Sequence, residues 1–286
     1  MRNMLLPPVG FGPGSQPDAD DGAELAYVPM PSGMQVYEPR LPRRVDPATL
    51  PLALPILASI RDAALAHAGN GGANAIIMLD DANPAVRALI DETLGEGEVS
   101  ILVADTPRIE IQESVFAGVW RMTRRDDAGR SLADRVEIGA IPAVVKARSF
   151  AGARIVPPSA EALAQPGVVN APAILTELAD KAAGYRPGAT AHVVNLTLLP
   201  HTPEDLVLIE ATLGAGPTTI LSRGYGNCRI TATGWPNVWW VRFYNSMDTL
   251  ILDTIEVIDI PVVALAAAED IADSAERIGE VMEALA

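Results

Sequence analysis

The sequence predicts an α+β fold. It reads as two pseudo-repeated two-layer α/β sandwich units, each a mainly antiparallel sheet with helices on one face. An extended N-terminal arm precedes them and a C-terminal helix closes the second. Three observations carry this. Residues 84–145 align on 203–264 without a gap after a shift of 119, and 17 of the 62 pairs are identical, which marks an internal repeat. Each copy begins with helix-like spacing and ends in short β-branched runs. Residues 1–50 are rich in proline and glycine and lack either periodicity. The organisation expected is an arm over 1–50, a first αβαβββ unit over 51–150, a linker over 151–170, and a second unit with the terminal helix over 171–286.

The elements follow in order. Proline fixes φ and removes a donor, so PPVGFGPGSQPDADDG and YVPMPSGMQVYEPRLPRR should run extended or turning. Phe11, Tyr27, Met30, Met34 and Tyr37 suit an arm that lies on the folded body or on a partner. The first helix of each unit, about 52–68 and 171–184, has apolar residues at three- and four-residue spacing. ANAIIML and AHVVNLTLL read as the strand that follows. A second helix opens at Pro84 or Pro203, where the first turn tolerates a missing N–H, with Asn83 and Thr202 as N-caps. Gly95 and Gly214 follow its last leucine, where a cap needs positive φ. VSILVA and TTILSR are β-branched strands. DDAG (126–129) and NSMD (245–248) read as hairpin turns between later strands. Strand following strand gives an antiparallel sheet with two helices over one face. The last helix, about 268–285, sets Ile271, Ile278, Met282 and Leu285 opposite a face of acids.

Composition excludes several classes. Lys plus Arg is 21 and Asp plus Glu is 36, a net charge of -15. That balance disfavours nucleic acid and anionic membrane and favours a basic partner; solubility alone is the alternative reading. One cysteine excludes an intramolecular disulfide and a multi-thiolate zinc or iron–sulfur site built by this chain. No cofactor and no metal are expected. No apolar run reaches the roughly 18 residues of a bilayer span. The apolar core of MRNMLLPPVGFGPGSQ is too short for a signal peptide, and a cytoplasmic location is expected. His67, His192 and His201 form no HExxH or HxH pattern, and no phosphate-binding glycine loop is present. Without a local catalytic motif the chain is not expected to be an enzyme.

The repeat supplies an internal control. Residues shared by both copies, such as Trp120/Trp239, Glu137/Glu256 and the glycine caps, are explained by the fold. Residues of one copy alone are candidates for a site. Where the second copy reads SRGYGNCR (222–229), the first reads VADTPRIE (103–110). Gly224 and Gly226 permit close backbone approach. Tyr225 offers an aromatic face and a hydroxyl, Asn227 an amide, and Arg223 and Arg229 planar forks for carboxylates. Cys228, with an arginine on either side, is either a thiol of lowered pKa or a core residue, since it aligns on the apolar Ile109. The adjoining TGWPNVWWVRFYNSMD concentrates aromatics. Alternation places Trp239 and Phe243 on one strand face and Trp240 on the other. One face is core; the other is an exposed aromatic surface for protein recognition, or lies under the second helix. The candidate partner-binding residues are Arg223, Gly224, Tyr225, Gly226, Asn227, Cys228, Arg229, Trp235, Trp240 and Tyr244.

Four stretches resemble the HupH/HyaF hydrogenase expression proteins: GPGSQ (13–17), YVPMPSGMQVYEPRLP (27–42), the run from HTPEDLVLIEATLGAG to TLILDTIEVIDIP (201–261), and AAEDIADSAERIGEV (267–281). The resemblance covers nearly the whole chain. Its most specific part is RGYGNCRITATG with VWWV and YNSMDTLILDT. It implies accessory work in nickel–iron hydrogenase maturation. The implied role is a chaperone that binds the hydrogenase small-subunit precursor before assembly and export, with other maturation proteins as further partners and a homodimer compatible. The residues leave one alternative, a thiol-dependent redox or cluster-protecting factor acting through Cys228.

Overall fold

The computed structural model describes residues 46–104, 106–223 and 227–286. The expected arm lies outside them as far as residue 45, as do Gly224, Tyr225 and Gly226.

The first unit runs α1 (Leu50–Asn70), β1 (Ala75–Met78), α2 (Pro84–Leu94), β2 (Val99–Val103), β3 (Arg108–Glu113), β4 (Val119–Arg125) and β5 (Ser131–Ile138). Short helices α3 (Ala143–Arg148) and α4 (Ala160–Leu163) lead to the second unit. That unit runs α5 (Ala171–Gly184), β6 (His192–Asn195), α6 (Pro203–Leu213), β7 (Thr218–Ser222), β8 (Asn227–Ala232), β9 (Val238–Tyr244) and β10 (Leu250–Val257), with α7 (Ala268–Leu285) at the end. Each unit has five strands, three of them following the strand after its second helix, one more than αβαβββ writes out. The chain after VSILVA or TTILSR doubles back at once as a strand of alternating buried and accessible residues.

The helix ends form as their sequences dictate. The Asn83 side chain accepts from the Val86 N–H. Thr202 and Asp205 form a capping box at α6. Gly95 and Gly214 cap α2 and α6 at φ 57° and 61°, a region that favours glycine.

All strand pairings are antiparallel, in the order β1-β5-β4-β3-β2-β7-β8-β9-β10-β6. The two units therefore join edge to edge, through β2 and β7. Ile101 lies opposite Ile220, its own equivalent under the 119-residue shift, so a pseudo-two-fold passes through that pair. Among the described residues this joint leaves β1 and β6, four residues each, as the sheet edges, and short edges resist unwanted pairing.

Three apolar clusters hold the body. On one sheet face α1, α2 and α7 cover the first unit, packing Leu57, Ile60, Ile90 and Ile278 against Val136 and Ile138. On the same face α5 and α6 cover the second, with Leu178 and Ile209 near Trp240 and Ile255. On the opposite face Ile101, Trp120 and Met122 meet Ile220, Trp239 and Val241 beneath the chain that follows β5 and β10. By length and composition α1 could cross a bilayer, with a mean hydropathy of 1.2 over its best window, an exception to the sequence expectation. Its Ala53, Leu57, Ile60 and Ala64 are buried against the first-unit cluster, as in a core helix. Between the two helix layers the sheet carries a trough of about 840 Å³.

Candidate functional site

The trough floor is fixed by strand register. One row of neighbouring residues runs Thr123, Glu110, Leu102, Thr219, Thr231, Trp240 from β4 to β9. The next runs Arg121, Gln112, Ser100, Leu221, Arg229, Arg242. The pseudo-two-fold exchanges the two rows. At the centre the equivalents match in chemistry: Leu102 with Leu221, and Ser100 with Thr219. Toward the flanks they differ, with Glu110 against Arg229, Thr123 against Arg242, and Arg121 against Trp240.

The first-unit flank is electrostatically closed. Arg121 bridges Asp91 at 2.5 Å and also pairs with Asp134. Glu110 accepts from Arg125 and Arg108, each at 2.6 Å. Hydrogen bonding to Arg125 holds its carboxyl below the usual range.

The second-unit flank is built differently. The Trp240 indole donates to Asp253 Oδ1 at 2.5 Å. The Arg242 guanidinium lies 4.1 Å from the Trp240 ring centroid and 3.7 Å from Asp253 Oδ1. Burial pushes the Asp253 carboxyl up, opposed by the Trp240 hydrogen bond. Arg229 and Arg223 are exposed and make no ion pair among the described residues.

The candidate residues from the sequence divide accordingly. Arg223, Asn227, Arg229 and half-buried Tyr244 line one pocket at the end of β7 and the start of β8, together with Cys228 and with Asp248, which accepts from the Asn227 amide. Gly224, Tyr225 and Gly226 lie outside the described residues. Three candidates are corrected. Trp235 is 2 % exposed and Trp240 7 %, both in the cluster under α5 and α6, so the exposed aromatic surface is not there. There α5 and α6 cover the sheet face, and the Trp240 N–H finds its acceptor in Asp253 of the neighbouring β10. Cys228 is 4 % exposed, in the central cluster. Burial pushes its thiol up to about 12, with the Glu256 charge adding to the effect. A thiolate is the nucleophile, so Cys228 is ill placed for thiol chemistry as well as for partner contact. Iodoacetamide should alkylate Cys228 no faster than global unfolding permits; alkylation of the folded chain at the rate of a free thiol would contradict this.

Sequence reading missed Arg242, Thr219, Thr231 and Ser100. Strand alternation shows that they share a face. Only the β2–β7 joint brings the two units' faces into one floor.

A model of the HupH hydrogenase expression protein C-terminal conserved region matches twice, over residues 51–151 and 168–285. Hydrogenase expression/formation protein HupH of Rhodobacter capsulatus is 53% identical over 289 residues, covering 100% of this chain and 99% of its own. Hydrogenase-1 operon protein HyaF of Escherichia coli (strain K12) is 33% identical over 281 residues, covering 96% and 95%. A solved structure, the hydrogenase expression protein HupH from Thiobacillus denitrificans ATCC 25259, matches 40% of this chain and 96% of its own at 27% identity and a TM-score of 0.38.

Proposed function

The chain belongs to the HupH hydrogenase expression protein family, and on that premise we propose that it is an accessory binding protein that holds the hydrogenase small-subunit precursor before assembly and export. Its role lies in hydrogenase expression and formation, as a maturation factor. The finer reading sets the protein in the cytoplasm, with the partner held at the pocket lined by Arg223, Asn227, Arg229 and Tyr244.

The asymmetry between the two units is the observation that carries this reading. At equivalent positions the first unit closes Glu110 with two arginines, while the second leaves Arg229 exposed beside Arg223, Asn227 and Tyr244. A fold needs no such difference, because the same backbone is built in both halves. Uncommitted guanidinium groups suit bidentate recognition of a partner's carboxylates or carbonyls.

Co-purification of the tagged chain with the small-subunit precursor tests it. The Arg223→Ala/Arg229→Ala variant should lose the complex at a melting temperature no lower than the wild type's, since both side chains are exposed. A complex that survives in the variant would move the contact elsewhere on the body.

A further inference from the structure

Arg229 and Arg242 are directly opposed on β8 and β9. Like charges facing each other across a strand pair are destabilising. Arg242 is partly offset by Asp253 and by the Trp240 ring. Arg229 has no such relief among the described residues. Both line a pocket of about 320 Å³ that adjoins the main trough and shares Thr219 and Arg229 with it. The hydroxyls of Ser100, Thr123, Thr219 and Thr231 stand on the same floor and make no hydrogen bond among the described residues. Glu210 also lines this pocket, so the pair of guanidiniums faces one wall carboxylate besides Asp253.

We propose that the trough holds an extended acidic segment of a partner polypeptide, with a carboxylate of that segment gripped by Arg229 and Arg242. The proposal deepens the maturation reading by giving the chemistry of the bound segment, and depends on that reading only for the partner's identity. Charge complementarity selects the occupant locally: the chain as a whole is acidic and Asp91, Glu96 and Glu110 also line the trough, but Asp91 and Glu110 are paired with arginines, whereas Arg229 makes no ion pair among the described residues. Two guanidiniums brought together at an energetic cost are relieved by a carboxylate, which accepts from both forks. Size selects a polypeptide over a small anion. The floor from β4 to β9 spans about 24 Å at roughly 4.8 Å per strand, the length of about seven extended residues. Leu102 and Leu221 at its centre give apolar side chains of such a segment a place between the hydroxyls. The direction of binding is set by charge. The Glu110 flank is satisfied by its own arginines, so the acidic end of the segment belongs at the second unit.

The test uses the full chain and fluorescence anisotropy of labelled peptides of about ten residues. Glutamates alternate with valine and serine in one peptide; glutamine or lysine replaces them in the controls. The glutamate peptide should bind at least ten-fold more tightly than either control. Arg229→Glu should remove that preference, Arg229→Lys should retain part of it, and raised salt should weaken it. Millimolar inorganic phosphate should not displace the peptide. Equal binding of the glutamate and glutamine peptides, a preference unchanged in Arg229→Glu, or displacement by phosphate overturns the proposal. Co-purification separates the two readings. A precursor complex that survives in Arg229→Glu defeats the trough proposal and spares the maturation role. Peptide discrimination without any precursor complex does the reverse.

Discussion

Asp205→Ala is expected to destabilise the protein by about 4 kcal/mol, since one buried and three part-buried N–H donors would lose a charged acceptor worth roughly 1 kcal/mol or more to each. That is a fall of about 10 °C in melting temperature for a body of this size. Asp205 is fully buried at the start of α6. One carboxylate oxygen accepts from the N–H groups of Val169, Asn170 and Ala171, and the other from Thr202. A single side chain therefore closes the entry to α5 and the N-terminus of α6 at once. Those four N–H bonds hold its carboxyl well below the usual range, outweighing the opposing effect of burial. A depressed folded pKa contributes stability that is present above the unfolded value, near 4, and is lost as pH falls through the folded one. Thermal melts from pH 6 downward should show the wild type losing stability more steeply than Asp205→Asn. Parallel curves would show that the charge contributes nothing.

Glu113→Gln is expected to act with the opposite sign and to stabilise the protein at alkaline pH. Glu113 ends β3 and lines a pocket with Val99, Phe243 and Leu265 and with the acids Glu98 and Asp270. The Gly118 N–H donates to it at 3.2 Å. Burial pushes its carboxyl up to about 7, and the two acids add to the shift. A raised folded pKa contributes stability that is full below the unfolded value and is lost as pH rises through the folded one. Wild type should therefore weaken between about pH 5 and pH 8, by at most about 3.5 kcal/mol at 1.36 kcal/mol per unit. Glutamine keeps an acceptor for Gly118 and carries no charge. Its melting temperature should match the wild type near pH 5 and exceed it at pH 8 by several degrees. An equal difference at both pH values would assign the gain to packing rather than to ionisation.

The two predictions differ in how far the sequence alone could have found them. Thr202 and Asp205 are legible as helix-start residues, because capping is a local matter of spacing. That Asp205 also satisfies the residues before α5, more than thirty positions upstream, is a tertiary fact. Glu113 falls in the phase of Ile109 and Ile111, so alternation already sets a carboxylate on the buried face of β3, out of keeping with its neighbours. What lies over it, the chain after β10 and the start of α7, is a tertiary matter. The aromatic strand shows the same limit. Alternation correctly divided Trp239 from Trp240. Whether the Trp240 face met water or a helix depended on where α5 and α6 lie.

The sequence by itself determined the α+β class, the repetition, the helix caps and the hairpin turns. It also showed which residues differ between the copies and the family resemblance. These are set by local propensity and by comparison within one chain, neither of which needs long-range contacts. Only the tertiary structure decided that the two units share one ten-stranded sheet, that α7 returns to pack on the first unit, and that Cys228, Trp235 and Trp240 are buried. The physical reason lies in the β2–β7 pairing. Either unit's edge strand carries the same unpaired backbone groups as any other strand, so nothing in its residues names the partner. Register across that joint is settled by burying Ile101 and Ile220 together, and the trough exists only once that pairing is made.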